Sequence, residues 1–138
     1  EQEGITINEI FDKCGEEYFR KTECEVIKKA AEMKNVVIAT GGGVVLNEQN
    51  IENLRKTGVI FNLSPDFSVI RERLEEARKT RPLLKRDSIE NIKKRFDDRK
   101  PFYDNCDYKI KVIHGRTPRS YAMEILEIME SSQGAGKQ

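Results

Sequence analysis

Apolar residues recur along this chain at two spacings, and the switch between them predicts its elements. Ile10 and Phe11, behind the capping-box sequence Thr6-Ile7-Asn8-Glu9, predict a short helix that ends near Gly15. Phe19, Val26, Ile27, Ala30 and Ala31 fall at helical spacing and predict a longer helix over about 16–33. Val36-Val37-Ile38-Ala39 is short, apolar and β-branched, which predicts a buried strand. Asn47 can cap a helix carrying Ile51 and Leu54, stopping before Gly58. A second strand is expected over 59–63, and Ser64-Pro65 then starts a helix with Phe67, Val69, Ile70 and Leu74 on its apolar face.

Residues 75–87 lack periodicity and read as a mobile surface segment around Arg81-Pro82-Leu83-Leu84. Asp87-Ser88-Ile89-Glu90 caps a helix to about Asp98, and residues 108–112 alternate as a half-buried edge strand. A last amphipathic helix starts at Pro118 with Ala122, Ile125, Leu126 and Met129, and a polar, Gly-containing tail over 132–138 reads as disordered. Strands separated by helices of this length imply βαβ units, hence an α/β fold with a parallel sheet flanked by helices. A single domain over residues 1–131 is expected from length and pattern.

Charge narrows the function. Lys plus Arg number 25 and Asp plus Glu 24, a net charge of +1, which argues against nucleic-acid or membrane-surface binding as a general role. No apolar run is long enough to span a bilayer and no signal peptide is visible at the start. Cys14, Cys24 and Cys106 show no CxxC spacing and read as reduced thiols of a cytoplasmic protein, and the single His114 cannot anchor a metal site.

The chemistry sits in a glycine loop and a set of arginines. Gly41-Gly42-Gly43 follows the first expected strand directly, removing side chains so that a ligand can approach the backbone and positive φ is open. In open α/β sheets such strand ends face ligands. Arg20 and Glu23 lie three apart on one helical face, where the carboxylate can hold the guanidinium. Arg81 precedes a proline in the mobile segment, and Arg99 follows a helix in Asp98-Arg99-Lys100-Pro101-Phe102-Tyr103. Arginine's planar fork suits carboxylate and phosphate.

Five motifs in order resemble the shikimate kinase family: Gly4-Ile5-Thr6-Ile7-Asn8-Glu9-Ile10-Phe11, Gly15-Glu16 with Phe19-Arg20-Lys21-Thr22-Glu23, Ile38-Ala39-Thr40-Gly41-Gly42-Gly43, Arg81-Pro82-Leu83-Leu84, and Arg99-Lys100-Pro101-Phe102-Tyr103. The resemblance covers nearly the whole chain up to Pro118. It implies a P-loop, nucleoside-monophosphate-kinase-like fold and transfer of the γ-phosphate of ATP to the 3-hydroxyl of shikimate, with Mg²⁺ accompanying ATP. Arg20 and Arg99 match the pair that clamps the shikimate carboxylate. Gly41, Gly42 and Gly43 match the loop along its ring, and Glu23 an acid that steadies the binding region. Arg81 matches the lid arginine over the ATP phosphates, while Arg71 and Arg116 match positions flanking the adenine. Thr40 matches a strand end from which the magnesium shell is reached through water.

The family's phosphate loop, G-x-x-x-x-G-K-[ST], occurs nowhere in the sequence; the tail Gly134-Ala135-Gly136-Lys137-Gln138 imitates it without the Ser/Thr. The chain is therefore expected to correspond to the C-terminal three-quarters of such a kinase, lacking its first βαβ unit. It is expected to be inactive alone, and the complete enzyme to be monomeric. Two other readings fit the residues: a non-catalytic carboxylate-binding domain, or a different small-molecule kinase of the same architecture.

Overall fold

A computed structural model describes residues 7–80 and 88–136, with the side chains of 15–80 and 88–132. The chain divides into two compact units, Glu1–Ile60 and Phe61–Gln138.

The first unit begins with α1, Ile7–Ala31, which Gly15 breaks into two helical stretches. Its φ of 81° and ψ of 171° lie where a side chain is disfavoured, so glycine is required at the break the pattern predicts. Asn35, at φ 58°, turns the chain away after the helix. A single 3-10 turn, Val44–Leu46, leads into α2, Glu48–Thr57. Asn47 caps α2 by accepting a hydrogen bond from Gln49 N at 2.9 Å. Ile27 and Ala31 of α1 are buried, as are Val44 and Ile51, and Thr57 Oγ1 donates to Ala31 O at 2.6 Å, tying the two helix ends.

The strand expected at 36–39 is not formed. Val37 is 98% exposed and Val36 and Ile38 are also exposed. A strand exists only through a paired backbone, and no described segment pairs with residues 36–40. An apolar, β-branched composition does not by itself supply the neighbour.

The second unit holds a two-stranded parallel sheet, β1 (Phe61–Pro65) and β2 (Tyr108–Val112), in register from Phe61↔Tyr108 to Pro65↔Val112. β1 starts two residues later than the pattern predicts, and Ser64 and Pro65 close the strand instead of opening a helix. Asp66 O accepts from Val69 N and Ile70 N, so α3 begins after it and spans Phe67–Thr80. Residues 75–80 of the expected mobile segment are thus helical, supported by the side-chain pairs Arg71–Glu75 at 3.4 Å and Glu76–Lys79 at 2.9 Å. Residues 81–87, and with them Arg81, lie outside the described residues.

Next, α4 (Ile89–Tyr103) is capped by Ser88 Oγ, which accepts from Asn91 N at 3.1 Å. It continues past the expected end at Asp98 and contains Pro101 in its last turn, where the ring removes one backbone donor. Lys109 and Lys111 of β2 face out while Ile110 and Val112 are buried, the alternation the sequence predicts. Finally α5 spans Pro118–Gly136, so residues 132–136 extend a helix where a disordered tail was expected. Tyr108 Oη meets Ser132 Oγ at 2.8 Å and holds this extension to β2. The core of the unit joins Val69, Ile110, Val112 and Tyr121, with Phe61, Ile125 and Ile128 packed against it. Tyr121 Oη donates to Ile113 O and accepts from Ile113 N, both at 3.0 Å, satisfying the backbone just beyond β2. The architecture is α/β with a parallel sheet.

Candidate active site

In the first unit, α1 and the glycine loop build a corner around Arg20. Arg20 Nη1 donates to Glu23 Oε1 at 2.9 Å, Nε lies 3.6 Å from Glu16 Oε1, and the guanidinium carbon sits 5.2 Å from the centre of the Phe19 ring. The Glu23 side chain is 14% exposed, so this pair is better shielded than an ordinary surface pair.

Gly43 completes the corner. It is buried, and a Cβ placed on it would lie 2.6 Å from Arg20 Cζ. The guanidinium occupies the space that any side chain would take. Gly41, in contrast, is exposed and a Cβ there would meet nothing within 4 Å. None of the three loop glycines has a positive φ, and Gly43 sits at φ −88°. Room for Arg20, rather than left-handed backbone, is what this loop requires of glycine. Thr40 is exposed, at the end of a segment that pairs with no described strand.

The turn after Gly43 is fastened from behind by a residue the sequence pattern did not single out. Asn50 on α2 is fully buried and its Nδ2 donates to Val44 O at 3.0 Å, while its Oδ1 accepts nothing among the described residues. An orphaned buried acceptor of this kind costs about 1–3 kcal/mol. An asparagine inside a helix ordinarily reads as solvent-facing. The available signal was its place beside Ile51 and four residues before Leu54, on the apolar face.

The remaining candidates lie in the second unit. Arg71, on α3, is exposed and paired with Glu75. Arg116 follows β2 and is held in place: its guanidinium carbon lies 4.3 Å from the centre of the Tyr121 ring, Nε donates to Ser120 Oγ at 3.1 Å, Nη2 donates to Ser120 O at 3.2 Å, and Glu124 is 3.7 Å away. Arg99 lies within α4 rather than after it, is half-buried, and its side chain makes no ion pair or hydrogen bond with a described residue. His114 pairs with Glu72 at 3.0 Å.

A cleft of about 420 Å³ opens at the carboxyl end of β1, between Asp66 and Phe67 on one side and Phe96, Lys100 and Tyr103 of α4 on the other. Close by, Asp104 at the end of α4 accepts from Lys109 Nζ of β2. That hydrogen bond lowers the Asp104 carboxyl below its ordinary value and raises the Lys109 ammonium above its own. Burial pushes the Cys106 thiol up from its ordinary value.

The family model for shikimate kinase matches residues 1–130. The chain belongs to the shikimate kinase family. The shikimate kinase of Caldicellulosiruptor bescii is 44% identical over 126 residues, an alignment covering 91% of this chain and 72% of that enzyme. The shikimate kinase of Aquifex aeolicus is 39% identical over 135 residues, covering 98% and 78% respectively. Among solved structures, that of shikimate kinase from Acinetobacter baumannii in complex with shikimate is similar with a TM-score of 0.80 and 32% identity, over 95% of this chain and 73% of that one. The Aquifex aeolicus crystal structure gives 0.77 and 34%, over 96% and 75%.

Proposed function

We propose that the function is that of a shikimate kinase, passing the γ-phosphate of ATP to the 3-hydroxyl of shikimate, and that this chain alone, whose sequence holds no phosphate loop, is inactive. Membership of the family supports the activity, and the Arg20 corner supports the substrate class. A guanidinium already held by Glu23 beside a side-chain-free loop is suited to receive a carboxylate through its remaining N–H groups. In this reading Arg20 and Arg99 bind the substrate carboxylate, Gly41, Gly42 and Gly43 lie along its ring, and Glu23 fixes Arg20. With the carboxylate held, the reacting hydroxyl has a defined direction, and positioning is the larger part of phosphoryl transfer.

Arg81 places its charge against the transferring phosphoryl group, where negative charge is redistributed in the transition state. Arg71 and Arg116 flank the adenine, Arg116 already fixed in orientation by Tyr121 and Ser120. Magnesium would come with ATP, and Thr40 would reach its shell through water. No described helix is long and apolar enough to cross a membrane. We assign the reaction to the cytoplasm, residues 1–131 to a single domain, and the complete enzyme to a monomer.

A phosphotransfer assay of the enzyme with its phosphate loop present, with shikimate beside other hydroxy acids, tests the substrate. Turnover of shikimate in preference to the others is expected, and turnover of another hydroxy acid with none of shikimate overturns the assignment. Arg81→Ala should lower kcat by about a hundredfold or more while leaving shikimate affinity nearly intact. A pure loss of shikimate affinity would remove Arg81 from the phosphoryl step.

A further inference from the structure

The glycine loop carries a fastening that its own sequence does not reveal. Val44 N donates to Gly41 O at 3.3 Å and Leu46 N to Gly43 O at 3.2 Å, which coils the backbone tightly as it leaves the glycines. The carbonyl at the centre of this turn, Val44 O, receives two donors: Asn47 N at 3.4 Å and Asn50 Nδ2 at 3.0 Å. The backbone bond is long, and the side-chain bond is the shorter and the fully buried one. One residue earlier, Gly43 lies where any Cβ would run into the Arg20 guanidinium. A shift of this turn by a fraction of an ångström therefore changes the space left for Arg20, with Glu23 holding the guanidinium from the other side.

We propose that Asn50 is a positioning residue for substrate binding: its amide fixes the Val44 turn, the turn sets Gly43, and Gly43 sets the Arg20 guanidinium. Asn50 is buried and meets no ligand; it acts through Arg20. The half-satisfied amide fits this role. Packing alone would favour an apolar residue of similar volume in that place, whereas the amide supplies the shorter of the two hydrogen bonds to Val44 O. The proposal rests on the reading that Arg20 binds the substrate carboxylate, and it predicts that Asn50 sets shikimate affinity while leaving ATP binding and turnover alone.

Two substitutions in the intact protein test it: Asn50→Leu, which removes the donor at similar volume, and Asn50→Asp, which keeps the shape and replaces the donor by an acceptor. Either should raise KM for shikimate by about tenfold, with kcat and KM for ATP within about twofold of the unsubstituted enzyme. In an Arg20→Ala background the same substitutions should change shikimate affinity by less than about twofold, because the group they act through is gone. The ligand-free protein gives a second readout, the Nε–H resonance of Arg20, expected to be sharp and slowly exchanging, and to broaden in either variant. Equal losses for both substrates, additive effects with Arg20→Ala, or an unchanged Arg20 resonance would each overturn the positioning role. Failure of the unsubstituted enzyme to use shikimate would instead overturn the substrate reading, and the ligand-free resonance would still decide the role of Asn50.

Discussion

Arg20 and Arg99 are both partly buried guanidinium groups, and their surroundings differ in kind. Arg20 is braced by Glu23 and Glu16, lies beside the Phe19 ring and fills the gap left at Gly43. Arg99 projects from α4 with no described polar partner. A braced arginine loses little rotamer freedom when an anion arrives, whereas an unbraced one is ordered by the anion itself. Removing them should differ too. Loss of Arg20 strands the poorly exposed Glu23 carboxylate beside the place an incoming carboxylate would take, and loss of Arg99 strands no described residue.

This contrast can be broken in order of expected effect. Arg20→Ala should weaken shikimate binding by about 3–4 kcal/mol in titration calorimetry, near the upper part of the range for truncating one partner of a shielded charge pair. Arg99→Ala should cost less, about 2 kcal/mol, since no described opposite charge is left behind. Equal losses in the two variants would erase the distinction, and unchanged affinity in both would dismiss the clamp. Glu23→Gln should cost about 1 kcal/mol in shikimate affinity by loosening Arg20. Added to Arg20→Ala, it should recover part of the loss by removing the stranded charge. If the double variant binds no better than Arg20→Ala alone, the stranded carboxylate is not the reason for the larger effect.

The smallest effect concerns pH and the Arg99 side. Asp104 ends α4 and grips Lys109 of β2, so this contact ties the helix carrying Arg99 to the sheet. Because the folded Asp104 carboxyl is lowered from 3.8, its contribution is present above that value and is lost as pH falls through the lower folded one. The raised Lys109 contributes below 10.5 and loses its contribution as pH climbs through its higher folded value. Thermal melts of Asp104→Asn should therefore lie slightly below those of the parent at neutral pH and converge with them in strong acid. Parallel curves across the acid range would show that the contact carries no linkage.

Much of the fold was legible because periodicity reports which face a residue turns inward. The Gly15 break, the Asn47 cap and the alternation of Ile110 and Val112 were all readable in that way. Partners are not written in periodicity. Val36-Val37-Ile38 has the composition of a strand and lacks a described neighbour, so it stays unpaired. Element ends were misread where a local sign was overruled by the surroundings. Pro65 closes β1 opposite Val112, Pro101 is carried within α4, and the helix through residues 132–136 is held by the contact between Tyr108 and Ser132. In the Arg20 corner, the Arg20–Glu23 contact followed from helical spacing. Gly43 and Asn50 did not, because their roles depend on what approaches them from another element.

The bare ribbon of Val36, Val37 and Ile38 also bears on handling the molecule. Three adjoining greasy side chains with a backbone that pairs with no described segment make a seed for like-to-like stacking between copies, so loss of material from solution should steepen with concentration. A lysine in place of Val37, the most outward of the three, would blunt that seed without disturbing any packed residue.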